Sequence, residues 1–188
     1  MPVTAPDHAA FPDHTVESAP APARRAMQAT ADRLGYLPSP VARMATSPQT
    51  LDGFLKLSGI FESTTLSQLD REVLILTIAT RNECHVCVAM HTAKLTALGA
   101  DPGLIDALRT QKPLTEAKLE ALRTFTLEVL ATAGAVREAG LQAFLGHGYT
   151  PQNALEVVLG IGTYTLSTFA NRLTGAPLDD QLAAFAPQ

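Results

Sequence analysis

The chain has two cysteines, Cys84 and Cys87, and a histidine, His91, follows four residues after the second. Two thiols and an imidazole at that spacing suit thiol redox chemistry. On a helix each residue turns by about 100°, so with Cys84 at zero, Cys87 falls near 300° and His91 near 340°. The three therefore share one stripe, while His85, near 100°, points elsewhere and reads as a surface residue. Arg81-Asn82-Glu83 interrupts an apolar run just before Cys84. With Asn82 as N-cap, Cys84 would lie in the first helical turn. There the unpaired backbone N–H groups and the positive end of the helix dipole favour thiolate over thiol. A cysteine so placed has its pKa lowered toward neutrality and becomes a nucleophile. The spacing also allows the two Cα atoms to approach within disulfide range.

A carboxylate belongs to the same cluster. Residues 69–79 read LDREVLILTIA, apolar nearly all round from Val73, which predicts a buried helix. Glu72 shares a face with Leu69, Val73 and Leu76, where a carboxyl needs a partner or a proton. Burial would raise its pKa and make it a proton acceptor near neutral pH, with His91 as its partner. Other uses of these residues stay open. The thiols could be small core hydrophobes, and Glu72 an exposed partner of Lys56 or Arg71. Cys84, Cys87, His91 and a fourth ligand could hold zinc, although three ligands on one helical stripe converge poorly.

The elements that must position these groups are helical. Ser47-Pro48, Asp101-Pro102 and Thr150-Pro151 each read as an N-cap followed by proline at the first helical position. Ser67 and Asp70 form a capping-box pattern, and Gly99 and Gly175 are stop signals. The pattern predicts helices over 18–34, 47–62, 67–81, 83–98, 101–110, 115–132, 138–147 and 151–173. It also predicts a loop over 35–46, where Pro38 and Pro40 fall, and a short turn over 178–185. Strand signals are weak. The expectation is an all-α bundle of seven to eight helices, one domain over 18–188, with a flexible N-terminal arm over 1–17.

Bulk properties narrow the partners. A chain of 188 residues, 46% hydrophobic, can build one real core, made of Leu, Val, Ile and Ala because tryptophan is absent. A net charge of −4 and a pI near 5.7 argue against nucleic-acid binding. The start of the chain lacks a signal-peptide pattern. Its most apolar stretch, 154–170, contains Glu156 and two glycines and reads as a core helix, not a membrane span. Two cysteines this close make no secreted disulfide scaffold, so a cytoplasmic protein without membrane or nucleic-acid partners is expected. Asn171-Arg172 ends the last helix, with a cation at the negative end of the dipole or a share in a pocket or subunit contact. Tyr164 reads as packing and His147 as a loop residue.

Residues 66–100, LSQLDREVLILTIATRNECHVCVAMHTAKLTALGA, resemble the alkylhydroperoxidase AhpD-like family of the carboxymuconolactone decarboxylase superfamily, peroxidase-related branch. The family pattern is a glutamate on one helix, Cys-x-x-Cys-x-x-x-His opening the next, and a glycine after it. Glu72, Cys84, Cys87, His91 and Gly99 match it. Weaker likeness extends from about Ala26 to the end of the long last helix. Family members often carry a histidine directly before the second cysteine; here that residue is Val86, and the histidine is His85.

The resemblance implies an AhpD-like helical bundle that assembles as a homo-oligomer (dimer, trimer or hexamer), for which few large core residues are a second hint. It implies a peroxidase that reduces organic hydroperoxides or hydrogen peroxide, with no cofactor and with electrons from an external dithiol. Cys87 would attack the peroxide and Cys84 would resolve it as a disulfide, with Glu72 and His91 as proton relay. Helix position alone favours Cys84 as first attacker; the resemblance favours Cys87. A thiol–disulfide exchange or redox-sensing protein with little peroxidase turnover is the alternative, and a zinc-binding helical module a more remote one.

Overall fold

The structure, a computed structural model, describes residues 10–187. Among these there are nine α-helices and no strand: α1 (Ala21–Leu34), α2 (Ser39–Met44), α3 (Pro48–Glu62), α4 (Gln68–Arg81), α5 (His85–Ala97), α6 (Pro102–Arg109), α7 (Ala117–Thr132), α8 (Glu138–Gly146) and α9 (Pro151–Thr174). A 3₁₀ turn, Asp180–Phe185, follows. The all-α reading holds. Its one missed element is α2, inside the segment expected to be a loop. Pro40 is compatible with that helix because a proline in the first turn costs no hydrogen bond.

The predicted caps form. Ser47, Asp101 and Thr150 each accept a backbone N–H from the first turn of their helix. Ser67 with Asp70, and Thr150 with Asn153, make reciprocal capping boxes. Gly99 and Gly175 take the left-handed conformation at helix ends. The arm expected over 1–17 lies outside the described residues as far as residue 9. Of the remainder, Asp13 pairs with Arg43 at 2.7 Å and Val16 packs against the α1–α2–α3 cluster.

Helix α4 is the centre of the molecule. Every residue from Glu72 to Thr80 is buried, and α5, α6, α7 and α9 pack around it. Phe61, Leu74, Leu76, Ile78, Leu122 and Phe144 are among the fully buried side chains of this main core. A smaller cluster, built on Met27, Val41, Met44 and Leu51, joins α1 and α2 to α3. Helix α9 crosses α3 and α4 closely at Gly160. A Cβ there would come within 2.7 Å of the Phe61 ring and 2.8 Å of Leu74. That close crossing brings the C-terminal half of α9 to the start of α5, where the cysteines are. No helix among the described residues is long and apolar enough to cross a membrane.

Candidate active site

The turn between α4 and α5 fixes the first sulfur. Asn82 closes α4; it does not open α5 as the sequence suggested. Glu83 takes the left-handed conformation at φ 53°, the Glu83 N–H bonds the Thr80 carbonyl, and the Cys84 N–H bonds the Ala79 carbonyl. This is a Schellman ending with glutamate where glycine is usual. Arg172 of α9 donates to the Asn82 carbonyl, and the Asn82 amide donates to Thr168 at 3.0 Å. The turn is thus tied to α9 on both sides. Cys84 itself is the N-cap residue of α5, and Cys87 is the third residue of the helix.

Both cysteines are free thiols, and their sulfurs lie 2.8 Å apart. At that distance they share a proton and titrate as a pair. Cys84 is lowered to about 7, first by the Cys87 thiol that donates to it, then, against the cost of burial, by the Cys87 backbone N–H, the Asn171 amide and the Arg172 charge. Cys87 is correspondingly raised, because it supplies the shared hydrogen and is buried. The pair therefore carries one negative charge from about neutral pH upward. Exposure separates the two sulfurs: Cys84 is 1% exposed, and Cys87, at 5%, lines a cavity.

His91 lies on the same cavity, one helical turn beyond Cys87. Its Nδ1 is 2.6 Å from Glu72 Oε2, and Lys94 Nζ is 3.4 Å from Glu72 Oε1. Burial alone would raise the Glu72 carboxyl, as the sequence reading supposed. The His91 and Lys94 charges and hydrogen bonds outweigh it, and the net shift is downward. Glu72 is therefore a carboxylate, and the expectation of a raised pKa is corrected. Burial pushes the His91 imidazole down further than Glu72 lifts it, so His91 is neutral at neutral pH. A carboxylate only accepts, so Nδ1 carries the hydrogen and Nε2 is left as a base. The Tyr164 ring meets the imidazole edge-on at 5.6 Å and holds its plane.

The third wall comes from α9, which sequence reasoning only partly assigned. Tyr164, Ser167 and Asn171, spaced i, i+3, i+7, all face the cavity. Asn171 Nδ2 is 3.3 Å from Cys87 Sγ and 4.0 Å from Cys84 Sγ. Ser167 also faces the Cys87 sulfur. Three polar residues on one face of an apolar helix were the available signal; nothing local said which face met the thiols. The cavity encloses about 150 Å³ and is roofed by Leu34, Pro38, Val41 and Met44 of the α1–α2 region, with Arg33 and Lys94 at its edge. His85 is exposed and away from it. No group of three or more His, Cys, Asp or Glu side chains among the described residues is arranged to hold a metal ion.

Comparison with known proteins bears on the fold. Residues 48–126 match the carboxymuconolactone decarboxylase family. A Ralstonia eutropha structure described as an alkylhydroperoxidase AhpD core, an uncharacterized peroxidase-related protein, superimposes with a TM-score of 0.83 at 21% identity, over 95% of this chain and 97% of that one. An uncharacterized peroxidase-related protein from Silicibacter gives 0.76 at 19% identity, over 97% and 95%. A protein of unknown function from Agrobacterium tumefaciens gives 0.59 at 17%, over 71% and 94%. No curated protein matches the chain.

Proposed function

We propose that this chain, which carries a carboxymuconolactone decarboxylase family segment over residues 48–126 on an AhpD-like all-α fold, is a thiol-dependent peroxidase. It reduces organic hydroperoxides or hydrogen peroxide through a Cys84–Cys87 dithiol/disulfide cycle. The observation that carries this reading is the pair of free thiols 2.8 Å apart, one of them facing a cavity beside a carboxylate-backed imidazole.

The chemistry runs in two steps. The shared proton moves to His91 Nε2, and the Cys87 thiolate attacks the terminal oxygen of the hydroperoxide. The S–O bond forms as the O–O bond breaks, leaving Cys87 as sulfenic acid and the alcohol as alkoxide, which takes a proton from His91. Glu72 stabilises the imidazolium that carries that proton between the two events. Cys84, as thiolate, then displaces hydroxide from the Cys87 sulfur to give the disulfide and, with a proton, water. Two thiols and one hydroperoxide thus yield a disulfide, an alcohol and water. An external dithiol narrow enough to enter the cavity restores the thiols, and the cycle calls for no prosthetic group. A dithiol kept reduced between turnovers suits a cytoplasmic setting.

Thiol–disulfide exchange with a protein partner is disfavoured by the burial of both sulfurs, which a hydroperoxide but not a folded protein's disulfide can reach. Comparing peroxide consumption with insulin reduction, each at equal dithiol, separates the two. Peroxide consumption is expected to dominate; insulin reduction without peroxide consumption would refute the peroxidase. The pair's titration adds a pH test. Thiolate forms as pH rises through about 7, so the rate of oxidation by hydroperoxide should rise across that range and level off above pH 8 or so. A rate that only begins to rise near pH 9, as for an ordinary thiol, contradicts the assignment.

We also propose that copies of the chain associate. Leu155, Val158, Phe169 and Leu173 are exposed along one side of α9, an apolar stripe that a monomer would leave in water. Light scattering on a sizing column should give a multiple of 19.9 kDa. A single species at 19.9 kDa would overturn the oligomer.

A further inference from the structure

Asn171 stands out because its side chain is only half used. The residue is 4% exposed, deep in the cavity wall. Its Nδ2 faces both sulfurs, but its Oδ1 is buried with no hydrogen-bond partner. The sulfur pair carries one negative charge near neutral pH, so the donor end of the amide belongs on that side. The carbonyl is therefore turned from the sulfurs, on a residue that lines the cavity. Leaving a buried amide oxygen unpaired is costly, and an apolar residue in this wall would avoid the cost. Among the described residues, no other polar side chain lining the cavity has a buried atom left without a hydrogen-bond partner.

We propose that Asn171 is the residue that binds the hydroperoxide group. This rests on the peroxidase reading, with Cys87 as the attacking sulfur. The amide N–H holds the Cys87 thiolate, and Oδ1 accepts the O–H of the incoming R–O–O–H. Donor and acceptor belong to one rigid planar group, so the hydroxyl bonded to Oδ1 is set down beside the sulfur bonded to Nδ2. The terminal oxygen is then in contact with the nucleophile, and the R–O end points out toward the apolar roof of Val41 and Met44. As the sulfur lone pair forms the S–O bond and the O–O bond breaks, the terminal oxygen keeps its hydrogen. That hydrogen stays on Oδ1 while the group becomes Cys87–S–OH. The sulfur is oxidised by two electrons, the peroxide reduced by two, and RO⁻ takes its proton from His91. The same bond then fixes the sulfenic hydroxyl away from Cys84 until it is displaced as hydroxide.

The test compares two reagents on one sulfur. Iodoacetamide needs only the thiolate; a hydroperoxide needs the thiolate and the acceptor. Asn171→Leu keeps the shape and removes both polar atoms. The rates of reaction with cumene hydroperoxide and with iodoacetamide are measured from pH 6 to 10, wild type beside variant. Above the pair's titration the thiolate is complete in both proteins. There the peroxide-to-iodoacetamide rate ratio should fall at least about tenfold in Asn171→Leu, and the midpoint of the iodoacetamide profile should move to higher pH. An unchanged ratio overturns the proposal. If Asn171→Leu does not fold by circular dichroism, Asn171→Ala gives the same ratio and is held to the same outcome. Failure of the peroxidase reading would look different: wild type itself would not be oxidised by the hydroperoxide.

Discussion

Cys87→Ser should fold and lose hydroperoxide reduction by roughly a thousandfold or more, while Cys84→Ser should still consume one equivalent of hydroperoxide and then stop. The size of the first effect follows from removing the nucleophile itself. The asymmetry follows from access. Only Cys87 faces the cavity, and Cys84 is sealed beneath it. In Cys84→Ser the attacking sulfur remains, with Asn171 and His91 beside it, but no thiol is left to displace the hydroxide. The product is a Cys87 sulfenic acid, which a dimedone adduct on the peptide containing Cys87 would reveal. Dimedone on Cys84 in Cys87→Ser, with none on Cys87 in Cys84→Ser, would reverse the roles and remove the basis for the cavity as substrate site. The lowered titration of Cys84 does not conflict with this order. The charge belongs to the pair 2.8 Å apart, and once the shared hydrogen has passed to His91 both sulfurs are thiolates, Cys87 to attack and Cys84 to resolve.

The second large effect is expected at Glu72. Glu72→Gln removes the charge that fixes the His91 tautomer and supports its imidazolium, while keeping a similar shape. Hydroperoxide reduction should fall by about 10² to 10⁴, the range for losing a proton relay. The iodoacetamide profile should keep its midpoint near 7, because none of the groups that lower Cys84 is Glu72. A parallel loss in both reactions would mean that Glu72 only holds the fold. Glu72→Leu is a useful contrast. It leaves a buried imidazole N–H without its acceptor, so it should cost stability as well, by roughly 2 kcal/mol. A melting curve for each variant separates the two contributions.

What could be read from the sequence was what acts locally. A capping box spans three residues, so Ser67 with Asp70 announced α4, and Thr150-Pro151 announced α9, without any knowledge of the rest. The stripe of Cys84, Cys87 and His91 follows from helical spacing, and the Glu72–His91 pairing from a carboxylate on a helix too apolar to leave it alone. Three things were not legible. Helix α2 is six residues long, too short to show a period, and its prolines read as breakers. The role of Asn82 depended on a left-handed Glu83, where the usual glycine signal is missing. The placement of Asn171, 84 residues from Cys87, depended on α9 crossing α4 at Gly160, a matter of packing and not of pattern. The direction of the Glu72 shift failed for a related reason. Burial is the largest single influence on that carboxyl, but His91 and, three residues past it, Lys94 together outweigh it.

The central claim is that the two thiols are a working redox pair, and the most direct measurement of it is the mass and thiol count of the fully reduced protein after one equivalent of hydroperoxide. The expected result is prompt loss of two hydrogens, no titratable thiol, and a single proteolytic fragment in which Cys84 is joined to Cys87. Two thiols that still titrate after an excess of hydroperoxide would contradict it.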